Sequence, residues 1–270
     1  MYEDISGKVA VITGAGGALC GAISEKLAGL GAKIAILDIS LEASRKRADE
    51  IAASGGQAIG IQCDALNKDE VRRAVGLAIE HFGRVDILIN GAGGSRKETT
   101  TSPELPFFDM DPADIASVLA LNYLSAVIPS QVVGEIFAKQ GSGVILNITS
   151  IAGISPLTKT IAYSNGKAAA NSFTQWLAVH MAKTYSPSIR VNAIAPGFVL
   201  TQQNRFLMID EKTGERTERA KAVIENVPMA RFGEPGEIAG AAVWLVSDSA
   251  SFVTGAVVPV DGGYTAFSGV

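Results

Sequence analysis

Apolar segments of strand length alternate with longer segments of helical period along nearly the whole chain. Seven segments are uniformly apolar, a pattern typical of parallel strands covered on both faces, and they span Lys8–Thr13, Lys33–Asp38, Ala58–Cys63, Val85–Asn90, Gly143–Thr149, Ile189–Ile194 and Ala256–Val260. The helices predicted between them include Gly21–Gly31, Leu41–Ser54, Lys68–Phe82, Ile161–Thr184 and Pro235–Val246. Repeated strand–helix units favour a parallel sheet with right-handed crossovers. The sequence therefore predicts the α/β class, with a Rossmann-like, doubly wound, seven-stranded parallel sheet flanked by helices on both faces.

Two long polar segments interrupt this pattern, at about residues 94–108 and 196–217. Both follow predicted strands, at the carboxyl edge where open α/β sheets bind ligands. Long loops at such an edge are often functional, so we predict that both are substrate loops. Insertions tolerated on the surface are the alternative. No internal repeat or linker divides the chain, and we predict a single domain over residues 1–270.

Composition and charge argue against several kinds of partner. The 270 residues are 47% hydrophobic and 19% charged, which is typical of a globular protein with a substantial core. The net charge of −4 and the pI near 5.3 oppose a general affinity for nucleic acid or for an anionic membrane. The first residues lack a signal-peptide pattern, and no apolar run is expected to approach the length of a membrane span.

The two cysteines, Cys20 and Cys63, offer no disulfide framework. We therefore expect reduced thiols and a cytoplasmic protein. The sequence also has no cluster of histidine and cysteine at metal-ligand spacing, so no metal site is predicted.

A glycine-rich turn over Thr13–Gly21 follows the first strand and precedes a helix expected to begin near Ala22. Such a turn brings backbone N–H groups and a helix N-terminus close to a pyrophosphate. Asp38 ends the second strand, where a carboxylate accepts hydrogen bonds from ribose hydroxyls and repels the 2′-phosphate of NADP. Because no arginine follows the first glycine, the sequence predicts NAD rather than NADP as the cofactor. The structural alternative is that Asp38 caps the next helix.

Further short motifs follow this turn in a specific order: Asp64, Asn90–Gly91–Ala92–Gly93, Asn122, Ser150, Tyr163 with Lys167, and Pro196–Gly197. In this order and spacing, the chain resembles the short-chain dehydrogenase/reductase family from end to end. One departure is that Ala18 and Cys20 stand where the family's turn usually carries glycines. This variant turn, with segments such as Pro156–Lys159 and Gln203–Arg205, resembles the D-mannonate oxidoreductase (fructuronate reductase) subgroup.

Tyr163 and Lys167 are four residues apart, so on a helix they share one face. A nearby ammonium stabilises a phenolate, and we therefore expect Lys167 to lower the pKa of Tyr163 from its ordinary value of about 10. Ser150 is predicted to donate to the substrate oxygen. The resemblance implies that Tyr163 is the acid or base, that Lys167 also binds the nicotinamide ribose, and that Asn122 holds a proton-relaying water. A Tyr–Lys pair on a solvated helix face is the alternative.

Two sets of contact residues complete the predicted site. The cofactor contacts are Gly14, Gly17, Ala18, Leu19, Asp38, Asp64, Ala65, Asn90, Gly91, Ala92, Tyr163, Lys167, Pro196 and Gly197. A hexuronate carboxylate calls for a cation and polar donors, and the candidates are Arg96, Lys159, Gln202, Asn204 and Arg205. For each of the three cations, an ordinary loop charge is the alternative.

The subgroup resemblance implies NAD-linked interconversion of D-fructuronate and D-mannonate, and the family resemblance implies a homotetramer. Two other interpretations stay open. The chain could act on another sugar acid or polyol, as a gluconate 5-dehydrogenase does, or it could bind NAD without catalysing a reaction. A substrate panel distinguishes the first alternative from the fructuronate reaction, and a turnover assay distinguishes the second from an enzyme.

Overall fold

The apolar segments form the seven strands of one parallel sheet. A computed structural model describes residues 2–201, 205–210 and 213–269. The strands are β1 (Val9–Thr13), β2 (Lys33–Asp38), β3 (Gln57–Gln62), β4 (Ile87–Asn90), β5 (Gly143–Ile148), β6 (Ile189–Pro196) and β7 (Val257–Val260), in the spatial order β3-β2-β1-β4-β5-β6-β7. Every neighbouring pair is parallel. The predicted doubly wound α/β sheet of seven strands is confirmed.

Helices cover both faces of this sheet. The described α-helices are α1 (Ala18–Gly29), α2 (Leu41–Ala53), α3 (Lys68–Phe82), α4 (Pro112–Gln140), α5 (Ile161–Thr184), α6 (Arg205–Met208), α7 (Glu218–Glu225) and α8 (Pro235–Val246). One buried cluster joins α1, α2 and α8 to the sheet, and a second joins α3, α4 and α5 to its other face. Within β1, Ala10 and Ile12 belong to the first cluster and Val11 to the second. The uniformly apolar strands are thus explained by burial on two faces.

Helix α1 begins four residues earlier than the expected Ala22, at Ala18. Gly17 is its N-cap in an extended conformation. The first N–H groups of a helix have no hydrogen-bond partner within it. The last residues of the glycine-rich turn can therefore form the first turn of α1 while their N–H groups stay available to a ligand. As a result, the free N–H groups of α1 lie at the end of the glycine-rich turn.

Helix α4 contradicts the expectation that no apolar run approaches the length of a membrane span. It has 29 residues, and an 18-residue window within it has a mean hydropathy of 1.5. Length and composition alone do not separate such a helix from the core helix of a globular domain. Here α4 packs against α3 and α5, and its polar residues Asn122 and Ser130 are buried and hydrogen-bonded. In this structure α4 is therefore a packed core helix.

The strand order reverses between β1 and β4, since the chain moves outward to β3 and then returns across the sheet. In open α/β sheets, the crevice at such a reversal is where ligands bind, at the carboxyl ends of the strands. The turns after β1, β4 and β5 meet at this crevice, and most of the predicted site residues lie on them.

Candidate active site

The turn after β1 and the turn after β4 are held together by Thr13. Its buried Oγ1 accepts hydrogen bonds from the N–H of Gly91 at 3.1 Å and of Ala92 at 3.3 Å. Gly14 adopts a φ of +65°, and a Cβ there would lie 2.9 Å from the backbone of Ala92. Only glycine satisfies both conditions. Thr13 carried no predicted contact, although its position where β1 meets the glycine-rich turn was a usable signal.

Cys20 fills the space beneath the turn after β4. Its side chain is 2% exposed, and a Cβ added to Gly91 would overlap its Sγ. Burial raises the pKa of Cys20 to about 12, so the thiol stays protonated at neutral pH. The small side chain thus occupies space beside the sheet, and the glycine it faces at position 91 has no room for a larger residue.

Asp38 lies at the carboxyl end of β2, beside the glycine-rich turn. One carboxylate oxygen accepts from the N–H of Gly16 at 3.0 Å, and the other accepts from the N–H of Ser40 at 3.0 Å. The side chain that caps α2 is Ser40, whose Oγ accepts from the N–H of Ala43. Asp38 therefore supports the cap residue without being the cap, and each oxygen keeps a lone pair for another donor.

The remaining cofactor candidates occupy the ends of other strands. Asp64 follows β3, and its Oδ1 accepts from the N–H of Leu66 at 2.9 Å; Ala65 beside it is buried. Pro196 ends β6, and the N–H of Gly197 donates to Val260 at 2.9 Å. Gly17, Ala18 and Leu19 lie at the start of α1.

The side chain of Asn90 points away from the crevice, toward β5 and α4. Its Nδ2 lies 2.8 Å from Asn147 Oδ1, 3.0 Å from Ser130 Oγ and 3.3 Å from the carbonyl of Ala126. This buried contact set continues to Thr174 on α5 through Asn147. A cofactor contact at Asn90 would therefore come from its backbone.

Ser150, Tyr163 and Lys167 converge where β5 ends and α5 begins. Ser150 follows β5, and its Oγ accepts from the N–H of Ala152 at 3.1 Å, which leaves its own hydrogen free to donate. The Lys167 ammonium is almost fully buried, donates to the carbonyl of Ile148 at 2.9 Å and lies 5.7 Å from the ring centroid of Tyr163. The three polar groups predicted from the sequence are thus brought together.

Burial dominates the acid–base properties of this group. It raises the pKa of Tyr163 above its ordinary value, and the polar side chain of Ser150 only partly offsets this rise. Burial also lowers the pKa of Lys167 to about 8, because a charged ammonium loses water on entering the interior. The expectation that the pKa of Tyr163 lies below its ordinary value is therefore wrong for this structure, because burial makes the net shift upward.

The amide of Asn122 is engaged with the backbone. Its Oδ1 accepts from the N–H of Gly94 at 3.0 Å, and its Nδ2 donates to the carbonyls of Gly94 at 2.7 Å and Val118 at 2.9 Å. Both amide hydrogens are used, so only a lone pair on Oδ1 is left for a water. Asn122 thus anchors the start of the 94–108 loop to α4.

The substrate candidates lie on different segments around the crevice. Arg96 donates to Ser117 Oγ on α4 at 3.1 Å. Lys159 is exposed just before α5, and its carbonyl accepts from the N–H of Thr101, which ties the two segments together. Arg205 is exposed at the start of α6. Gln202 and Asn204 lie outside the described residues, and within the described part of the chain no group of three or more His, Cys, Asp or Glu residues could hold a metal ion.

Comparison with known proteins identifies the family. Residues 14–265 match a family model described as enoyl-(acyl carrier protein) reductase. An uncharacterized oxidoreductase of Bacillus subtilis, UxuB, is 44% identical over all of this chain and 99% of its own length. The 7α-hydroxysteroid dehydrogenase of Escherichia coli is 35% identical over 96% of this chain and 94% of its own length.

A solved structure extends the likeness to three dimensions. The crystal structure of a provisionally named D-mannonate oxidoreductase from Haemophilus influenzae with bound NAD matches this chain with a TM-score of 0.92 and 43% identity. The match covers 98% of this chain and 97% of the other. With the Ser150, Tyr163 and Lys167 cluster at the carboxyl edge of a doubly wound sheet, these matches show that the chain belongs to the short-chain dehydrogenase/reductase family of oxidoreductases.

Proposed function

We propose that this protein is an NADH-dependent ketone reductase, with D-fructuronate as substrate and D-mannonate as product, and that the reverse oxidation uses the same groups. The observation that carries the proposal is the buried Lys167 ammonium beside Tyr163 and Ser150, at the crevice where the sheet reverses its strand order. The likeness to the Haemophilus influenzae oxidoreductase supports the choice of substrate.

The residues of the crevice fit a dinucleotide. Free N–H groups at the start of α1 suit a pyrophosphate, and the lone pairs of Asp38 suit ribose hydroxyls. A Cβ on Gly16 would fill the space between the glycine-rich turn and Asp38, since it would lie 2.9 Å from Asp38 Oδ2. We assign the other predicted cofactor contacts to the same dinucleotide, and among them Lys167 to its nicotinamide ribose. When bound, NADH supplies the hydride for the carbonyl carbon.

The protein's own groups handle the proton. Reduction of a ketone places negative charge on its oxygen, and that oxygen must be protonated. Because its pKa is raised, Tyr163 stays protonated near neutral pH and can donate. The hydrogen of Ser150 can stabilise the same oxygen, and the ammonium of Lys167 stabilises the phenolate that Tyr163 leaves behind. Asn122 keeps the neighbouring loop in place.

The reaction is expected to depend on the charge of Lys167. Its pKa is lowered to about 8, so the ammonium is present below that pH and is lost as the pH rises through it. Without that charge the Tyr163 phenolate is less stable, and proton donation becomes less favourable. We therefore expect kcat/KM for ketone reduction to fall above about pH 8. A pH–rate profile that stayed flat to the ordinary lysine pKa of about 10.4 would contradict this role.

Asp38 is expected to set the preference for NADH over NADPH. Its carboxylate would face the 2′-phosphate of NADPH, and two neighbouring negative charges repel each other. The Asp38→Asn variant keeps the size of the side chain and one acceptor oxygen while removing the charge. We expect the ratio of the Kd for NADPH to that for NADH to fall at least about tenfold, measured by fluorescence titration. Asp49→Asn, on the exposed face of α2, is the matched control and should leave the ratio unchanged; an unchanged ratio in Asp38→Asn would remove this role.

Lys159 is the cation that we assign to the substrate carboxylate. It lies just before Thr160, the N-cap of the helix that carries Tyr163, and no residue in the described ranges pairs with its ammonium. Lys159→Glu is expected to raise the KM for D-fructuronate about tenfold or more, because a hydrogen bond to a charged group is lost and replaced by repulsion. The KM for a neutral ketose should change little. Lys183→Glu, at the other end of α5, is the control, and an equal effect of Lys159→Glu on acidic and neutral substrates would argue against this contact.

The experiment that tests the proposed function is a substrate panel. The purified protein is mixed with NADH and, separately, with D-fructuronate, D-tagaturonate, 5-keto-gluconate or a neutral ketose, and the loss of NADH absorbance is followed. Selective turnover of D-fructuronate is expected. Turnover of a different ketone alone would keep the reductase and reject the substrate. No turnover of any ketone would reject the enzymatic function.

We also propose a cytoplasmic homotetramer. Exposed apolar side chains on α4 and α5, including Trp176 and Val179, support association with further copies of the chain, and the two buried free thiols suit a reducing compartment. Light scattering at working concentration tests the oligomeric state, and a monomer would reject the tetramer.

A further inference from the structure

Gly166 stands in the interior of α5, directly before Lys167 and facing α4. Glycine at such a position costs about 0.5–1 kcal/mol relative to alanine, so a structural reason for it is expected. A Cβ on Gly166 would lie 2.7 Å from the Cβ of Asn122 and 3.3 Å from the carbonyl oxygen of Leu119. Neither atom can rotate away, because one is fixed to the α4 backbone and the other is part of it. The two helices therefore approach this closely because position 166 has no side chain.

The contact at Asn122 continues into the turn after β4. The Asn122 amide binds both the N–H and the carbonyl of Gly94. The neighbouring Gly93 lies between the two functional side chains, since a Cβ there would be 2.8 Å from Asn122 Oδ1 and 3.3 Å from Lys167 Nζ. A shift of Asn122 relative to α5 would therefore move the Gly93–Gly94 backbone relative to Lys167.

We propose that Gly166 is a positioning residue for the reaction. The missing side chain lets Asn122 seat against α5, and Asn122 then fixes the Gly93–Gly94 backbone, and with it the start of the 94–108 loop, beside Lys167. The proposal rests on the proposed function, because Lys167 and Tyr163 are the groups whose surroundings are being fixed. An alanine at 166 would force α4 and α5 apart, because the 2.7 Å between its Cβ and that of Asn122 is shorter than a van der Waals contact allows. Small displacements of catalytic groups can lower the rate of reaction strongly without changing the fold.

The first test is the kcat of Gly166→Ala with any ketone that the wild-type protein reduces. We expect kcat to fall about tenfold or more, with little change in the KM for NADH. Gly76→Ala is the matched control, because Gly76 lies in the interior of α3 with no atom within 4 Å of an added Cβ. The control should keep full activity. If Gly166→Ala failed to fold while Gly76→Ala folded, the proposal would be overturned, because the position would then serve the fold.

A double-mutant cycle tests whether Gly166 acts through Asn122. Asn122→Ala removes the amide that holds Gly94. In that background, Gly166→Ala is expected to cause no further loss of kcat, since the link to the loop is already broken. An equal loss of kcat in both backgrounds would show that the two residues act independently and would overturn the proposal.

Amide hydrogen exchange provides a readout that needs no substrate. The Gly94 N–H donates to Asn122, so exchange in a peptide over residues 91–100 should be faster in Gly166→Ala, approaching the rate in Asn122→Ala. Exchange over residues 257–260 should not change. Unchanged exchange at 91–100 in Gly166→Ala would overturn the positioning role. A wild-type protein that reduced no ketone would instead reject the proposed function, so the two failures are distinguishable.

Discussion

Replacing Tyr163 with phenylalanine is expected to lower kcat for ketone reduction by about 10²–10⁴-fold, the usual contribution of a positioned acid. Phenylalanine keeps the ring and removes the hydroxyl that would protonate the substrate oxygen. Ser150 lies beside it but cannot replace it, because an aliphatic hydroxyl is a much weaker acid than a phenol. The Kd for NADH should change far less than kcat, because one assigned contact is lost while the buried Lys167 and the glycine-rich turn are retained.

The control for this variant is Tyr185→Phe. Tyr185 is an exposed tyrosine that follows the last turn of the same helix, α5. It should keep wild-type kcat and Kd for NADH. If Tyr163→Phe kept more than about a tenth of the wild-type kcat, a different group would have to supply the proton, and the assignment of Tyr163 would be rejected.

Gly91→Ala is expected to have the largest effect on stability. The added methyl would overlap Cys20 Sγ and would lie 2.9 Å from the carbonyl oxygen of Thr13. Overpacking of this kind costs about 1–3 kcal/mol, or roughly 2–12 °C in Tm for a chain of this size. Affinity for NADH should also fall, because the turn after β4 is displaced from Thr13. Thermal unfolding and fluorescence titration measure the two effects.

A second substitution tests whether the overlap with Cys20 Sγ, and not any side chain at position 91, causes the loss of stability. Cys20→Gly removes the overlapping sulfur, so the Gly91→Ala/Cys20→Gly variant should unfold at a higher temperature than Gly91→Ala, although the contact with Thr13 stays tight. Gly29→Ala, at the end of α1 with no atom within 4 Å of an added Cβ, should lose no stability. A double variant no more stable than Gly91→Ala would show that Cys20 is not the obstructing residue.

The sheet was predictable from the sequence because its strands are buried on two faces and therefore uniformly apolar. Helix α4 was not among the named helices. Its apolar residues extend around much of its surface, since it contacts both α3 and α5, and this weakens the periodic signal of a surface helix. The start of α1 was misplaced because the glycine-rich turn and the first helical turn share residues.

Some residues of the candidate site were predictable from the sequence and others were not. Ser150, Tyr163 and Lys167 were predictable because each carries a chemical group at a fixed position in a motif. The roles of Thr13 and Gly166 depend on which atoms of distant segments meet them, and sequence alone does not reveal such contacts. The sign of the Tyr163 shift was also missed, because burial outweighs the nearby ammonium and burial is a property of the whole fold.

The most direct test of the central claim follows the hydride itself. The protein is incubated with D-fructuronate and NADH that carries deuterium at both C4 positions, and the product is analysed by mass spectrometry. Direct transfer predicts D-mannonate with one deuterium on the new carbinol carbon, and the same reaction with Tyr163→Phe should give almost none. Product without deuterium, or no mannonate at all from active wild-type preparations, would contradict the account.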